Sequence, residues 1–180
     1  MPDDLFPVEK RIYEVLAAEC MTLYPQTTSL EEWTRGIKTC LCGLAKSDFG
    51  LHPWAGKCTE AEYPEWLWDV AWLRYGPARA GREDWMGLEG VFLACEIEWQ
   101  ESTYNRLEDF LKLTVAVADY RLFIFTIPNT HVAQDARAKI FDELKEVCPG
   151  SRGFRYLAIG VPNHPHKPED GKLPYAAWSL

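Results

Sequence analysis

Residues 87–100 read GLEGVFLACEIEWQ. From Val91 to Cys95 the stretch is apolar and β-prone, the composition of an inner strand. It then ends on two carboxylates, Glu96 and Glu98. Their spacing of two sets both side chains on one face of a strand, continuing the face of Phe92 and Ala94. Burying an unpaired carboxylate costs on the order of several kcal/mol, so the end of this strand demands partners elsewhere in the chain.

A third carboxylate lies upstream. EWLWDVAWLRY, 65–75, reads as a strand with Trp66, Trp68, Val70 and Trp72 on one face. Leu67, Asp69, Ala71 and Leu73 fall on the other, so Asp69 interrupts an apolar face as Glu96 does. Between the two strands, GPARAGREDWMG (76–87) carries three Gly and a Pro and reads as a break. The two strands, 65–75 and 88–99, therefore form an antiparallel hairpin with a long connection.

The flanking segments fill out the architecture. Residues 7–22 have helical spacing, with Pro7 at the first position and Val8, Ile12, Val15, Leu16 and Met21 as the apolar set. A second helix runs from about residue 30 to 45, with Ser29 as N-cap and Glu32 at the reach-back position of a capping box. Residues 47–64 are turn-rich, with room for one short strand. Helical spacing returns over 103–119, and YRLFIFTIP (120–128) is a short buried strand. A further helix ends near Val147 before Pro149 and Gly150. FRYLAIGVP (154–162) is a strand, the following tail is loop, and LPYAAWSL supplies an edge strand. This order predicts an α/β (α+β) fold: a mixed sheet, antiparallel at the front, with parallel crossovers behind and helices on both faces. The chain reads as a single domain over 1–180, divided into a helical extension (1–25), a core (28–128) and a C-terminal helix with strands (129–180).

With 180 residues, 47% of them hydrophobic, the chain is long enough for a full core. Its formal net charge of −8 argues against a protein that coats nucleic acid non-specifically. It leaves open local contact with a phosphodiester through a metal ion. No stretch reaches the roughly 20 apolar residues of a membrane span, and the acidic N-terminus lacks the pattern of a signal peptide. The six cysteines are expected as reduced thiols, and a cytoplasmic location follows from these features as an expectation.

If adjacent strands bring Asp69, Glu96 and Glu98 together, mutual repulsion adds to the burial cost. A divalent ion resolves it. Mg or Mn takes oxygen ligands, often one or two carboxylates completed by water and substrate phosphate, and the carbonyl of Ile97 offers a further oxygen. The bland alternative is that these are exposed strand ends, with Asp69 paired to Arg74. Lys112 follows Glu98 by fourteen residues, with Asp109 three positions before it on the same helix side. It is either one half of a surface ion pair or an ammonium leaning over the strand ends toward the metal. Arg74, Arg79 and Arg82, around the 76–87 connection, are either phosphate contacts or an ordinary solvated loop. The set Trp66, Trp68, Trp72 and Trp99 reads as core, with stacking on bases as the alternative. No organic cofactor is expected.

An Asp on one hairpin strand, E-x-E on the next, a helix carrying DFLKL and then a short apolar strand resembles the PD-(D/E)XK phosphodiesterase superfamily over residues 28–128. The resemblance implies a restriction-endonuclease-like core: a helix, a three-stranded antiparallel meander, a helix and a parallel strand. It implies that Asp69 and Glu96 are metal ligands. Glu98 stands where the family usually has Lys. Some members carry Glu there and others move the Lys to the following helix, where Lys112 is the candidate. Glu32, on the first core helix, and Asp109 are auxiliary candidates, and Glu32 also serves as a cap. The Pro that precedes the first Asp in the family has no adjacent counterpart, since Trp68 precedes Asp69. The implied activity is Mg- or Mn-dependent hydrolysis of nucleic-acid phosphodiester bonds, with a protein partner or homo-oligomer supplying basic surface. A second reading keeps the fold as a non-catalytic binding or regulatory protein acting through protein partners, which Glu98 in place of Lys favours.

Overall fold

A computed structural model describes residues 4–24, 29–79, 82–127, 134–148, 154–162 and 172–179. The elements are α1 (Pro7–Leu23), α2 (Leu30–Phe49), β1 (His52–Ala55), β2 (Val70–Arg79), β3 (Arg82–Glu98), α3 (Thr103–Thr114), β4 (Ala118–Ile127), α4 (Gln134–Glu146), β5 (Arg155–Pro162) and β6 (Tyr175–Ser179). The strands form one six-stranded sheet in chain order, β1 to β6. The β1–β2 and β2–β3 pairs are antiparallel, β3–β4 and β4–β5 parallel, and β5–β6 antiparallel. The fold is thus mixed α/β with an open mixed sheet, as the alternation of strand and helix patterns requires.

Local chemistry sets the helix ends. In α1, Pro7 occupies the first turn, and the Glu9 carboxylate accepts the Phe6 N–H at 2.9 Å. In α2, the Ser29 hydroxyl accepts the Glu32 N–H at 3.2 Å. That helix ends at Gly50, whose φ of 62° is the left-handed conformation a glycine adopts without strain.

Two apolar layers cover the sheet. One packs α1 and α2 through Ile12, Leu16, Trp33, Ile37 and Leu41 onto Val70, Trp72, Leu93, Cys95, Leu122 and Ile159. The other packs α3 and α4 through Phe110, Leu113, Phe141 and Leu144 onto Ala71, Leu73, Ala94, Phe123, Phe125 and Ala158. Helix α1 packs into the first of these layers. Met21, expected on its apolar face, stands exposed, and Cys20 and Leu23 fill that place.

Three departures from the sequence expectation bear on the site. Residues 65–69 are not a strand, with a bend over 67–69, and β2 begins at Val70. The Trp66 and Trp68 alternation is thus not a strand face, and Asp69 sits just outside the ladder. At the other end, β2 and β3 extend through most of 76–87 with repeated register shifts. Beyond Leu73, β2 has outrun β1, so Gly76 and Pro77 lie on an edge where Pro is tolerated. Finally, a bulge between the pairs Trp72↔Leu93 and Leu73↔Val91 turns Phe92 onto the α1–α2 side, where its ring stacks with Trp72. Of Phe92 and Ala94, only Ala94 shares the face of Glu96. The stop signals Pro149 and Gly150 lie outside the described residues.

Candidate functional site

The site forms where β2 begins and β3 ends, next to α3 and the middle of α2. Asp69 takes up a rung of the ladder that the β2 backbone has left: its Oδ2 accepts the Ile97 N–H at 2.9 Å. Its other oxygen, Oδ1, lies 2.8 Å from the Lys38 ammonium, which also donates to Glu65 Oε2 at 2.9 Å. The Lys38 side chain is 7% exposed. Burial, the largest single effect on it, pulls its pKa down, but the hydrogen bonds and charges of Asp69 and Glu65 together outweigh that and leave it raised.

Glu96 is 4% exposed on the α3 side of the sheet. Its pKa is pushed up to about 8, first by burial and then by the charge of Asp69, with Lys112 opposing. Lys112 lies 4.0 Å from Glu96 Oε2 and also contacts Asp109 directly. Glu98 accepts the Gln100 N–H at 2.6 Å. Burial raises its pKa first, that backbone bond opposes, and a hydrogen bond with Asp109 raises it further.

Asp69, Glu96, Glu98, Asp109 and Lys112 are thus linked through neighbouring contacts and charges. Lys112 pairs with Asp109 on its own helix and lies 4.0 Å from Glu96. Other candidates are placed elsewhere. Glu32 is exposed, and its backbone N–H serves the α2 cap. Arg74 is paired with Asp119 at 2.6 Å and lies over the Phe92 ring, so it is not the partner of Asp69. Arg79 and Arg82 face each other in register at the far end of the β2–β3 hairpin. At about 3.3 Å per residue their backbones stand roughly 30 Å along the strand from Asp69.

Lys38 and Glu65 escaped sequence reasoning. A signal existed for Lys38: the positions four and seven residues on, Cys42 and Ala45, are buried with it, placing an ammonium in an apolar helical stripe. Glu65 gave no such signal, because its segment resembles a strand.

The ensemble is short of positive charge. Five carboxylates, Glu65, Asp69, Glu96, Glu98 and Asp109, face two ammonium groups, Lys38 and Lys112, a formal balance of five negative against two positive. Among the described residues, no three His, Cys, Asp or Glu side chains are grouped so as to hold a metal ion unaided. The donor chemistry fits an ion of the Mg type, which uses one or two carboxylates and takes its other oxygens from water and substrate. The buried, undercompensated Glu96 is the group such an ion would relieve.

All six cysteines are free thiols. No described helix is long and apolar enough to cross a membrane. The chain matches no protein-family model, no curated protein and no solved structure.

Proposed function

We propose that the chain is a divalent-metal-dependent nuclease hydrolysing nucleic-acid phosphodiester bonds. The observation that carries this reading is the carboxylate cluster at the β2–β3 end, where Glu96 is buried with its pKa near 8 beside Asp69 and too few cations face it. The order α2–β1–β2–β3–α3–β4, a helix, an antiparallel meander, a helix and a parallel strand, supports likeness to the PD-(D/E)XK core.

Asp69 and Glu96 are the residues that would hold Mg or Mn. A bound ion supplies a water of lowered pKa and positive charge against phosphate oxygens. The Ile97 N–H fixes the Asp69 carboxylate in place. Glu98, its proton affinity raised by burial and by Asp109, is the group suited to accept a proton from water. Lys112, beside Glu96, would steady the charge growing on the phosphate.

The second reading, a non-catalytic binding protein, draws on one observation: the Lys38 ammonium already sits on Asp69. Manganese titration separates the two. The nuclease reading expects the melting temperature of the wild type to rise with Mn²⁺, since an ion that binds only the folded chain stabilises it. Asp69→Asn and Glu96→Gln are expected to abolish that rise, together with Mn²⁺-dependent cleavage of a labelled oligonucleotide. A wild type that ignores Mn²⁺, or a rise that both variants retain, sinks the nuclease reading and leaves the binding protein.

A further inference from the structure

The sulfur atoms of Cys42 and Cys58 meet where the loop after β1 lies over the middle of α2. Lys57, just before Cys58, takes a left-handed φ of 53° at this turn. The Cys58 thiol and the Thr39 hydroxyl share a hydrogen bond of 3.8 Å. Thr39 and Cys42 are three positions apart on α2, so they stand on one side of the helix. The Cys58 sulfur therefore lies over the face that carries Cys42. It packs against the buried cluster to which Cys42 belongs and hydrogen-bonds with the Cys42 thiol. Two further contacts fix the loop in this place. The Cys58 carbonyl accepts the Ala61 N–H at 3.4 Å, and Glu60 pairs with Lys46 of α2 at 2.9 Å.

The two thiols are unequal. Cys42 is fully buried and Cys58 half-buried, so an oxidant arriving from solvent reaches Cys58. Burial first, and then the Cys58 sulfur, raise the Cys42 pKa against the opposing charges of Lys46 and Lys38, so Cys42 keeps its proton. Cys40 faces elsewhere. Two residues before Cys42, it stands about 200° around the helix, where its thiol donates to the Val15 carbonyl of α1 at 3.9 Å. A solvent-reached cysteine backed by a second thiol is the arrangement of a redox-sensing dithiol, in which the second sulfur resolves the oxidised first. Disulfides of this transient kind are the ones compatible with a reducing compartment.

We propose that Cys42 and Cys58 form a reversible dithiol–disulfide site whose oxidant is a hydroperoxide. The Cys58 thiolate attacks one oxygen of the peroxide. An S–O bond forms as the O–O bond breaks, sulfur gives two electrons to the peroxide, and the released hydroxide takes up the thiol proton as water. The Cys42 sulfur then attacks that of Cys58. The S–S bond forms, the S–O bond breaks, and the Cys42 proton goes to the departing oxygen, which leaves as a second water. A dithiol reductant returns the two electrons by exchange and restores both thiols. The bridge closes a loop of 16 positions on α2, with Lys38 one helical turn before Cys42 and Glu65 beyond Cys58, the ion pair beside Asp69. The inference is independent of the nuclease reading.

The test is peptide mapping by mass spectrometry. The folded protein is exposed to a small excess of hydrogen peroxide, its remaining thiols are capped with N-ethylmaleimide in denaturant, and it is digested without reduction. Trypsin cuts after Lys38, Lys46, Lys57 and Arg74, so the bridge joins peptide 39–46 to peptide 58–74. The wild type is expected to give this linked pair, and dithiothreitol added before capping should remove it. Peptide 39–46 also holds Cys40, so Cys40→Ser is the control and should keep the link. Cys42→Ser should lose the link and leave Cys58 as a sulfenic acid that dimedone traps, and Cys42→Ala should do the same. Cys58→Ser should give neither product. Matching thermal melts confirm that the variants fold. A wild type without the linked pair, a link that Cys40→Ser abolishes, or dimedone on Cys42 with Cys58 untouched overturns the proposal.

Discussion

Glu96 shows what a single buried charge does to the pH response of the whole chain. Its pKa in the folded protein, about 8, stands above the ordinary value of 4.5. Between those two values the folded chain holds a proton that the unfolded chain has released. Its contribution is therefore fully present below about pH 4.5 and is lost as the pH rises through about 8. Glutamine mimics the protonated acid, so Glu96→Gln is expected to flatten this part of the stability profile. Denaturant melts at several pH values across the window check it, and an unchanged slope would show that Glu96 is ionised throughout. Lys38 makes the complementary case. Its removal leaves Asp69 and Glu65 facing each other's charge in a partly buried place. Because Glu65 is about half exposed, Lys38→Met should cost about 2 kcal/mol, less than a fully buried pair. The same variant frees the Asp69 oxygen that the ammonium holds, so Mn²⁺ should bind it more tightly than the wild type. Weaker Mn²⁺ binding would mean that Lys38 organises the carboxylate and does not compete for it.

At the scale of elements, the short α3–β4 connection depends on Arg121, which is 1% exposed and forms no ion pair among the described residues. Its guanidinium donates to the carbonyls of Leu113, Ala116 and Ala118, with Phe154 stacked 3.6 Å from it. These carbonyls include the C-terminal end of α3, where the helix dipole is negative. Arg121→Met keeps much of the bulk but takes the guanidinium from three buried carbonyls, of which only Leu113 keeps a backbone donor, the Ala116 N–H, among the bonds of this turn, an expected loss of about 2 kcal/mol. An equilibrium unfolding curve within a few tenths of the wild type would show that water replaces the guanidinium. The sequence hid this device: in YRLFIFTIP an arginine reads as a strand residue pointing to solvent, and its acceptors lie three to eight residues away across a turn. The neighbouring strands were legible because β4 and β5 are apolar on both faces. The beginning of β2 was not, because alternating Trp in 65–69 imitates a strand while the backbone bends to bring Glu65 and Asp69 to Lys38. The bulge at Phe92 was equally hidden, since an extra residue in a ladder leaves no mark on a run of apolar side chains. The acids and Lys112 could be found locally, within one hairpin and the next helix. The amine on Asp69 comes from 31 positions earlier, a pairing that only the packed sheet creates.

Across the whole molecule, the first helix and the strand β5 are joined by a buried ion pair. Glu9, 1% exposed, accepts from Arg155 at 2.6 and 2.8 Å in a two-point clasp, and its carboxylate also accepts the Phe6 N–H. Arg155 reaches further, to the Asp4 carbonyl and the Ser179 hydroxyl, so one guanidinium gathers the start of α1, β5 and β6. The Tyr13 hydroxyl, which donates to the Leu173 carbonyl at 3.0 Å, repeats the link one turn along α1. These contacts close the α1–α2 layer over the strands opposite the carboxylate site. Removing one partner leaves the other charged and buried, so Glu9→Met and Arg155→Met should each cost about 3–5 kcal/mol. The double variant buries no charge, and Met at both positions fills the space with apolar atoms. Its loss should therefore be smaller than the sum of the two by about 2 kcal/mol or more. Such coupling is specific to the pair, since losses from packing alone would add. Amide hydrogen exchange supplies a second measurement: in either single variant, α1 and β6 should lose protection together while the β2–β3 end keeps its own. If α1 opened alone, the clasp would be a local anchor, and the layer would be held by Ile12, Leu16 and Leu23 on the sheet.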